Sequence, residues 1–537
     1  MVRALLVAAW SAFLVTPVLA ANEGQADLDR AVENQLTART PAELQEVVNL
    51  CESALAKGLS EENKAFATQI LTSALFERAS KISAVILSGR APGAAWVQLR
   101  EAALTDLEKA LEYDDTLADA QLLLCRLEML PGGDRERAGK AAHRAVELLE
   151  DDKQKLAAAL VLRAQLGDDP KKQMADLTKA MELDPGNTDA WQIRALLLLQ
   201  EGEFEEGAAE LEKLLKENGD NAAARIALAE AYFNLERYDD ALAQADKAVT
   251  QSPEASIGYT LRARIHAAKE DYKSGIADLN QALLVQPRDL GALLLRARLN
   301  LAVDEVQLAK GDVQRLLQLN PGLPQAIYMR ALIAAGEGNF GAAIQDMEQL
   351  VKLDEGNVEW QLQLGAFYAA DERPRRAIEI YTTVIDNDQK NWMARRARAD
   401  ALLSIGKQAE AIKDYEIALQ QQPEHDGILN NLAWVLATSP KDELRDGKRS
   451  IELGTKACEV TEYKRPHILS TLAAGYAESG DFETAIKWSS KAVEMGEGEI
   501  KEQLQKELDS YKQGKPWREL QETEEKKQPV NPADLQT

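Results

Sequence analysis

Apolar positions along this chain fall in helical blocks, and the blocks recur at a fixed period. The residues that close successive blocks are Pro185, Gly219, Pro253, Pro287, Pro321, Glu355, Gln389 and Pro423, each 34 residues after the one before. Twelve residues ahead of each stands a small or short residue: Gln173, Gly207, Ala241, Gly275, Ala309, Ala343, Ala377 and Ala411. A second small series runs through Ala195, Ala229, Ala263, Ala297, Ala331, Gly365, Ala399 and Ala433. The pattern predicts helices that recur with the period. Small side chains belong where helices cross, because larger ones would force the axes apart. Proline ends a helix, since it lacks an N–H and its ring clashes with the preceding turn. Eight such units fill residues 154–425.

The edges of the array are less regular. Residues 61–153 read as irregular units, with an insertion around Gly89–Gly93, and residues 21–60 as a linker and first helix. That helix starts at Thr40-Pro41-Ala42-Glu43, a capping box with proline at the first helical position. Two further units span 426–498, the first stretched by a loop from Ser439 to Gly447. Residues 499–518 are predicted as an amphipathic helix capping the open end, as terminal repeats require. Residues 519–537 are polar and poor in apolar groups, a composition that predicts disorder.

This arrangement resembles the tetratricopeptide repeat family, whose period is 34 with two helices per unit. The resemblance implies an all-α fold, an α-solenoid wound as a right-handed superhelix of about twelve helix pairs with a C-terminal capping helix. It also implies a non-enzymatic scaffold for protein–protein interaction, with the first helix of each unit lining a concave groove. The inward positions of that groove include Arg264, Arg298, Tyr328, Arg396, Asn430 and Trp434, which form the candidate partner-binding set. Arg264 and Arg298 hold the same position in adjacent units and have Asn280 and Gln314, not an acid, sixteen residues on. Their charge is therefore expected to be free. The family's carboxylate-clamp pattern does not map here, because Asn430 and Asn431 stand alone.

Five other arginines follow a different rule. Arg194, Arg262, Arg296, Arg330 and Arg398 each have an acid sixteen residues later: Glu210, Asp278, Asp312, Asp346 and Asp414. Residue pairs that travel together across the two helices of a unit predict structural ion pairs, not an anion site. Asp176 holds the acid position without its arginine. Phe204, Tyr238, Tyr272 and Phe340 share one repeat position and are expected in the core.

Composition narrows the function. Lys plus Arg total 63 against 88 for Asp plus Glu, a net charge of −25. That excess disfavours nucleic acid and anionic lipid as partners. Three cysteines are too few and too scattered for a disulfide framework or a zinc site, and Cys125 is expected as a buried, inert thiol. The four histidines lie far apart and no HExxH or nucleophile-elbow motif occurs. No catalytic, cofactor or metal residue is assigned, and no cofactor is called for.

The first twenty residues are of another kind. Met1-Val2-Arg3 is followed by an apolar run to Val15 and by Val18-Leu19-Ala20, the layout of a secretory signal cleaved after Ala20. A run of roughly 12 apolar residues is short for a bilayer core of about 30 Å, so cleavage is favoured over a retained amino-terminal anchor. The expected location is extracytoplasmic, periplasmic or secreted, with no membrane insertion after signal removal. The expected partner is a protein or peptide segment met there. The alternative is a self-associating structural or assembly factor of the cell envelope, whose mass in sedimentation would grow with concentration.

Overall fold

A computed structural model describes residues 23–88 and 95–519. The expected signal segment, the expected insertion around Gly89–Gly93 and the tail beyond Glu519 lie outside the described residues. Within them the chain forms 27 α-helices and one short 3-10 turn, Asp442–Leu444. This is an all-α solenoid. It divides into two contact units, Met1–Glu270 and Asp271–Thr537.

The first unit opens with a helix pair of which the sequence reading saw only half. Pro41–Lys57 begins as expected: the Glu43 N–H donates to Thr40 Oγ1 (3.3 Å), and the Glu43 carboxylate accepts from the Thr40 N–H (2.9 Å). The stretch ahead of it, expected as a linker, is instead the helix Gln25–Thr37. It buries Leu28 and Ala31 against Val47, Val48 and Cys51 and is tied at Asp27 by Ser53 (2.7 Å) and Lys57 (2.5 Å). So few apolar residues, with no proline stop, left no periodic signal. The pair Glu61–Leu87 and Ala95–Tyr113 follows, joined by Arg78 to the buried Asp106. Regular pairs then run from Ala118–Glu128 onward to Ser256–Ala268.

The second unit starts at Tyr272–Val285 and continues through pairs of 13 and 14 residues to Trp392–Ser404 with Gln408–Gln421. The two last pairs are Asp426–Thr438 with Gly447–Val460, and Pro466–Glu478 with Phe482–Met495. The capping helix Gly498–Lys512 buries Leu504, Leu508 and Tyr511. It stops at Lys512, because Gly514 adopts a left-handed φ of 69° and Pro516 cannot continue a helix.

The small positions behave as the crossing argument requires. Ala195, Ala229 and Ala263 in the first unit, and Ala297, Ala331, Ala399 and Ala433 in the second, are fully buried. Gly365 replaces alanine because the Tyr381 ring fills the space: a Cβ there would lie 2.4 Å from Tyr381 Cε1. Phe204, Tyr238, Tyr272 and Phe340 each open a second helix and are half-buried, not fully in the core. All three cysteines are buried and unbridged, and burial pushes the Cys125 thiol up to about 11 and those of Cys51 and Cys458 to about 12.

The repeated arginines are structural. Arg296 grips Asp312 with two bonds (2.9 and 2.5 Å), Arg330 grips Asp346 (2.8 and 2.7 Å), and Arg398 grips Asp414 (2.7 and 2.8 Å). Arg194 meets Glu210 at 2.7 Å. The same guanidiniums also reach backward, Arg296 to Asn280 (2.6 Å) and Arg398 to Thr382 (3.0 Å), so each links its own second helix to the preceding one. Arg262 uses this backward arm, donating to Asp246 at 2.8 Å. Asp176, expected without an arginine, is gripped by Arg163 (2.7 and 2.6 Å). Arg163 lies three residues beyond the usual position, on the same helix face.

These pairs predict a stability cycle. Arg296→Leu alone is expected to cost about 1–3 kcal/mol, because Asp312 is left buried without its donor. Arg296→Leu combined with Asp312→Leu recovers much of that loss in chemical denaturation. Simple additivity of the two changes would show that the residues do not act as a pair.

Candidate partner-binding face

First helices of neighbouring pairs pack against one another along the first unit; in the second, Val358–Ala370 packs on Trp392–Ser404 and Asp426–Thr438 on Pro466–Glu478. In the first unit the first-helix face carries Glu230, Phe233 and Arg264. Arg264 donates to Glu230 (2.9 Å), its counterpart one period earlier, and its guanidinium lies 5.0 Å over the Phe233 ring. The expectation that its charge is free is thus corrected. An acid at the same position of the preceding unit neutralises it, and the sixteen-residue rule could not detect that spacing.

In the second unit Arg298 is exposed and has no ion-pair partner among the described residues. Leu332 lies one period after Arg298 and is also exposed, and Tyr328 precedes it on the same helix, half-buried. Burial raises the Tyr328 phenol above its usual range, with Glu359 adding to the effect. These residues mix cation, aromatic and aliphatic groups.

Further along, Arg396 and Asn430 occupy equivalent positions on neighbouring first helices. Arg396 Nη1 is 3.4 Å from His425 Nε2, and its Nε is 3.9 Å from the Asp400 carboxylate. Asp400 is already committed, accepting from the Tyr415 hydroxyl and from Asn431 Nδ2 (2.9 Å). Asn430 donates to Asn431 Oδ1 at 3.1 Å. Two polar atoms remain shielded from solvent without a hydrogen bond: Arg396 Nε and Asn430 Oδ1. One is a donor and the other an acceptor. Sequence reasoning selected both residues but not the support beneath them, where Asp400, Tyr415 and Asn431 fix the local geometry.

Trp434 is different again. Its indole N–H donates to the Glu519 carboxylate, so the chain's own C-terminal segment covers it. The sequence-predicted set is therefore not one site. Arg298 and Tyr328 lie near one end of the second unit, Arg396 and Asn430 further on, Trp434 under the tail, and Arg264 in the other unit. Two surface hollows, one lined by Lys310, Arg330 and Glu337 and the other by Lys352, Tyr368 and Arg376, contain none of the six.

Stacked antiparallel helix pairs of constant period, crossing on small residues, define a helical-repeat solenoid that presents first-helix side chains along one face. Family models described as tetratricopeptide repeat match residues 198–265, 328–391, 368–426 and 396–441. The matched stretches are tetratricopeptide repeats. Similar solved structures include a tetratricopeptide repeat protein from Parabacteroides merdae, with 18% identity over 54% of this chain and 98% of that one and a TM-score of 0.36. YrrB, described as a tetratricopeptide repeat protein with an unusual peptide-binding site, shares 23% identity over 35% of this chain and 97% of its own, with a TM-score of 0.32. The Cut9–Hcn1 hetero-tetramer of the APC/C gives 14%, 75%, 95% and 0.37 in the same order. No curated protein matches the chain.

Proposed function

We propose that this protein is a non-enzymatic scaffold that binds extended protein segments along its first-helix face, outside the cytoplasm. The observation that carries the reading is Arg396 and Asn430, partly exposed at equivalent positions of neighbouring first helices and held only by long or single contacts. A hydrogen bond to a charged group is worth about 1.5–3 kcal/mol. A peptide group offers the complement, its C=O to the arginine. Arg298 and Tyr328 add a free cation and aromatic area, residue types enriched at interaction hot spots. Recovery of a partner from envelope extract on the 21–537 chain, lost when Arg396 and Asn430 are truncated, tests this directly.

The extracytoplasmic placement rests on the signal layout of residues 1–20, and no helix among the described residues is long and apolar enough to cross a membrane. Amino-terminal sequencing of the protein from its native cell is expected to begin at Ala21. Intact Met1 in a cytoplasmic fraction would overturn that placement. One observation favours self-association as the second reading. Val285, Leu319 and Leu353 end three successive second helices and are 44%, 37% and 63% exposed, an apolar row that another copy would cover. Sedimentation mass rising with concentration, and falling back in a Leu353→Gln variant, would favour it.

A further inference from the structure

The helix Asp426–Thr438 ends differently from its neighbours. Elsewhere in the second unit a left-handed residue closes the turn between the paired helices, as at Asp304 (φ 62°), Glu372 (φ 58°) and Gly406 (φ 72°). After Thr438 the chain instead leaves in extended form into the inserted loop, with Ser439 at φ −51° and ψ 135°. The last four carbonyls of a helix have no partner within it and need donors from outside. Here Val435 O receives the Ser439 N–H (3.1 Å) and Leu436 O the Asp446 N–H (2.9 Å), both from the loop. Ala437 O receives Arg518 Nη1 (3.3 Å) and Thr438 O the Glu519 N–H (3.1 Å), both from the far end of the chain.

The tail is aimed at this point by its own turn. Past the capping helix the Gly514 N–H bonds Tyr511 O (2.9 Å) and the Lys515 N–H bonds Ser510 O (3.0 Å), the double closure of a glycine-terminated helix. Trp517 then packs with Trp434, Tyr476 and the buried alanines Ala437, Ala473, Ala474 and Ala477. Arg518 Nη2 lies 2.6 Å from Glu478, and the other oxygen of that carboxylate accepts Arg445 Nε (2.8 Å) from the inserted loop. Glu519 accepts from the Trp434 indole. Loop insertion and tail thus meet on one carboxylate.

We infer that Pro516–Glu519 is a built-in ligand of the scaffold, seated on the first-helix face at its C-terminal end. An outside segment with an aromatic, a cation and a carboxylate in succession reaches that end only by displacing it. This rests on the scaffold reading above. The seated segment follows the capping helix after a very short connection, so its effective concentration is in the millimolar range, and weak outside segments are excluded.

The test uses the full chain and a labelled peptide of residues 513–519 as probe. Wild type is compared with Trp517→Ala, and with the variant Arg518→Ala plus Glu519→Gln, which leaves the indole cluster whole should Trp517→Ala disturb folding. The peptide is expected to bind at least tenfold more tightly to either released variant than to wild type, and Trp434→Ala added to a released variant is expected to erase the gain. Equal binding to wild type and released chains, or no binding to folded released chains, overturns the inference. In either of those cases, a native partner that still depends on Arg396 and Asn430 leaves the scaffold reading standing.

Discussion

Asp414→Leu is expected to destabilise the second unit by about 3–5 kcal/mol, as removal of one member of a buried charge cluster does. Asp414 is almost fully buried and holds two guanidiniums: Arg398 through both oxygens, and Arg395 Nη1 at 3.0 Å. The two arginine side chains are only 20% and 11% exposed, so neither regains water cheaply when the carboxylate is lost. Arg395 keeps one bond to Gln389 O (2.8 Å) and Arg398 one to Thr382 (3.0 Å), which do not neutralise charge. The triple variant Arg395→Met, Arg398→Leu, Asp414→Leu removes the charges together and is expected to recover most of the loss. Because repeats touch only their neighbours, native-state hydrogen exchange should report the damage in Trp392–Ser404 and Gln408–Gln421 while Pro41–Lys57 keeps its protection. A loss below about 1 kcal/mol, or a triple variant no better than the single, would mean the cluster contributes little beyond packing.

What the sequence made legible follows from what repetition exposes. A period of 34 multiplies weak local signals, so the closing prolines, the crossing alanines and the arginine–acid spacing all emerge from one chain without relatives. The same logic explains the failures. Arg264 pairs with Glu230 at a spacing of one full period, which looks like two copies of one groove position rather than a contact. Arg163 satisfies Asp176 from a shifted register, so no repeated offset marks it. Gln25–Thr37 occurs once, outside the period, and its burial rests on two apolar residues and Gln35. The seating of Glu519 on Trp434 joins residues 85 apart, through a segment whose composition reads as solvated tail. Periodicity reports contacts that recur, and the contacts that individualise this protein do not.

Arg396→Ala with Asn430→Ala is expected to weaken a bound partner segment by about 3 kcal/mol, on the order of a hundredfold in Kd, as the loss of two hot-spot side chains does. Folding should barely change. Arg396 makes only a long contact to His425 and a 3.9 Å approach to Asp400, and Asp400 keeps Tyr415 and Asn431 without it. Asn430 gives up one bond to Asn431. Two comparisons separate geometry from charge. Arg298→Ala should weaken binding more at low salt, because its charge is unscreened by any ion-pair partner. Arg264→Ala should have little effect, because Glu230 already neutralises that cation. The measurement is a titration of each variant with the segment recovered by the full chain, at two ionic strengths, with circular dichroism as the folding control. Unchanged affinity in the Arg396/Asn430 variant would remove the first-helix face of the second unit from the interaction. The hollow beside Lys310, Arg330 and Glu337 would then be the surface to vary next, since none of the four varied positions lines it.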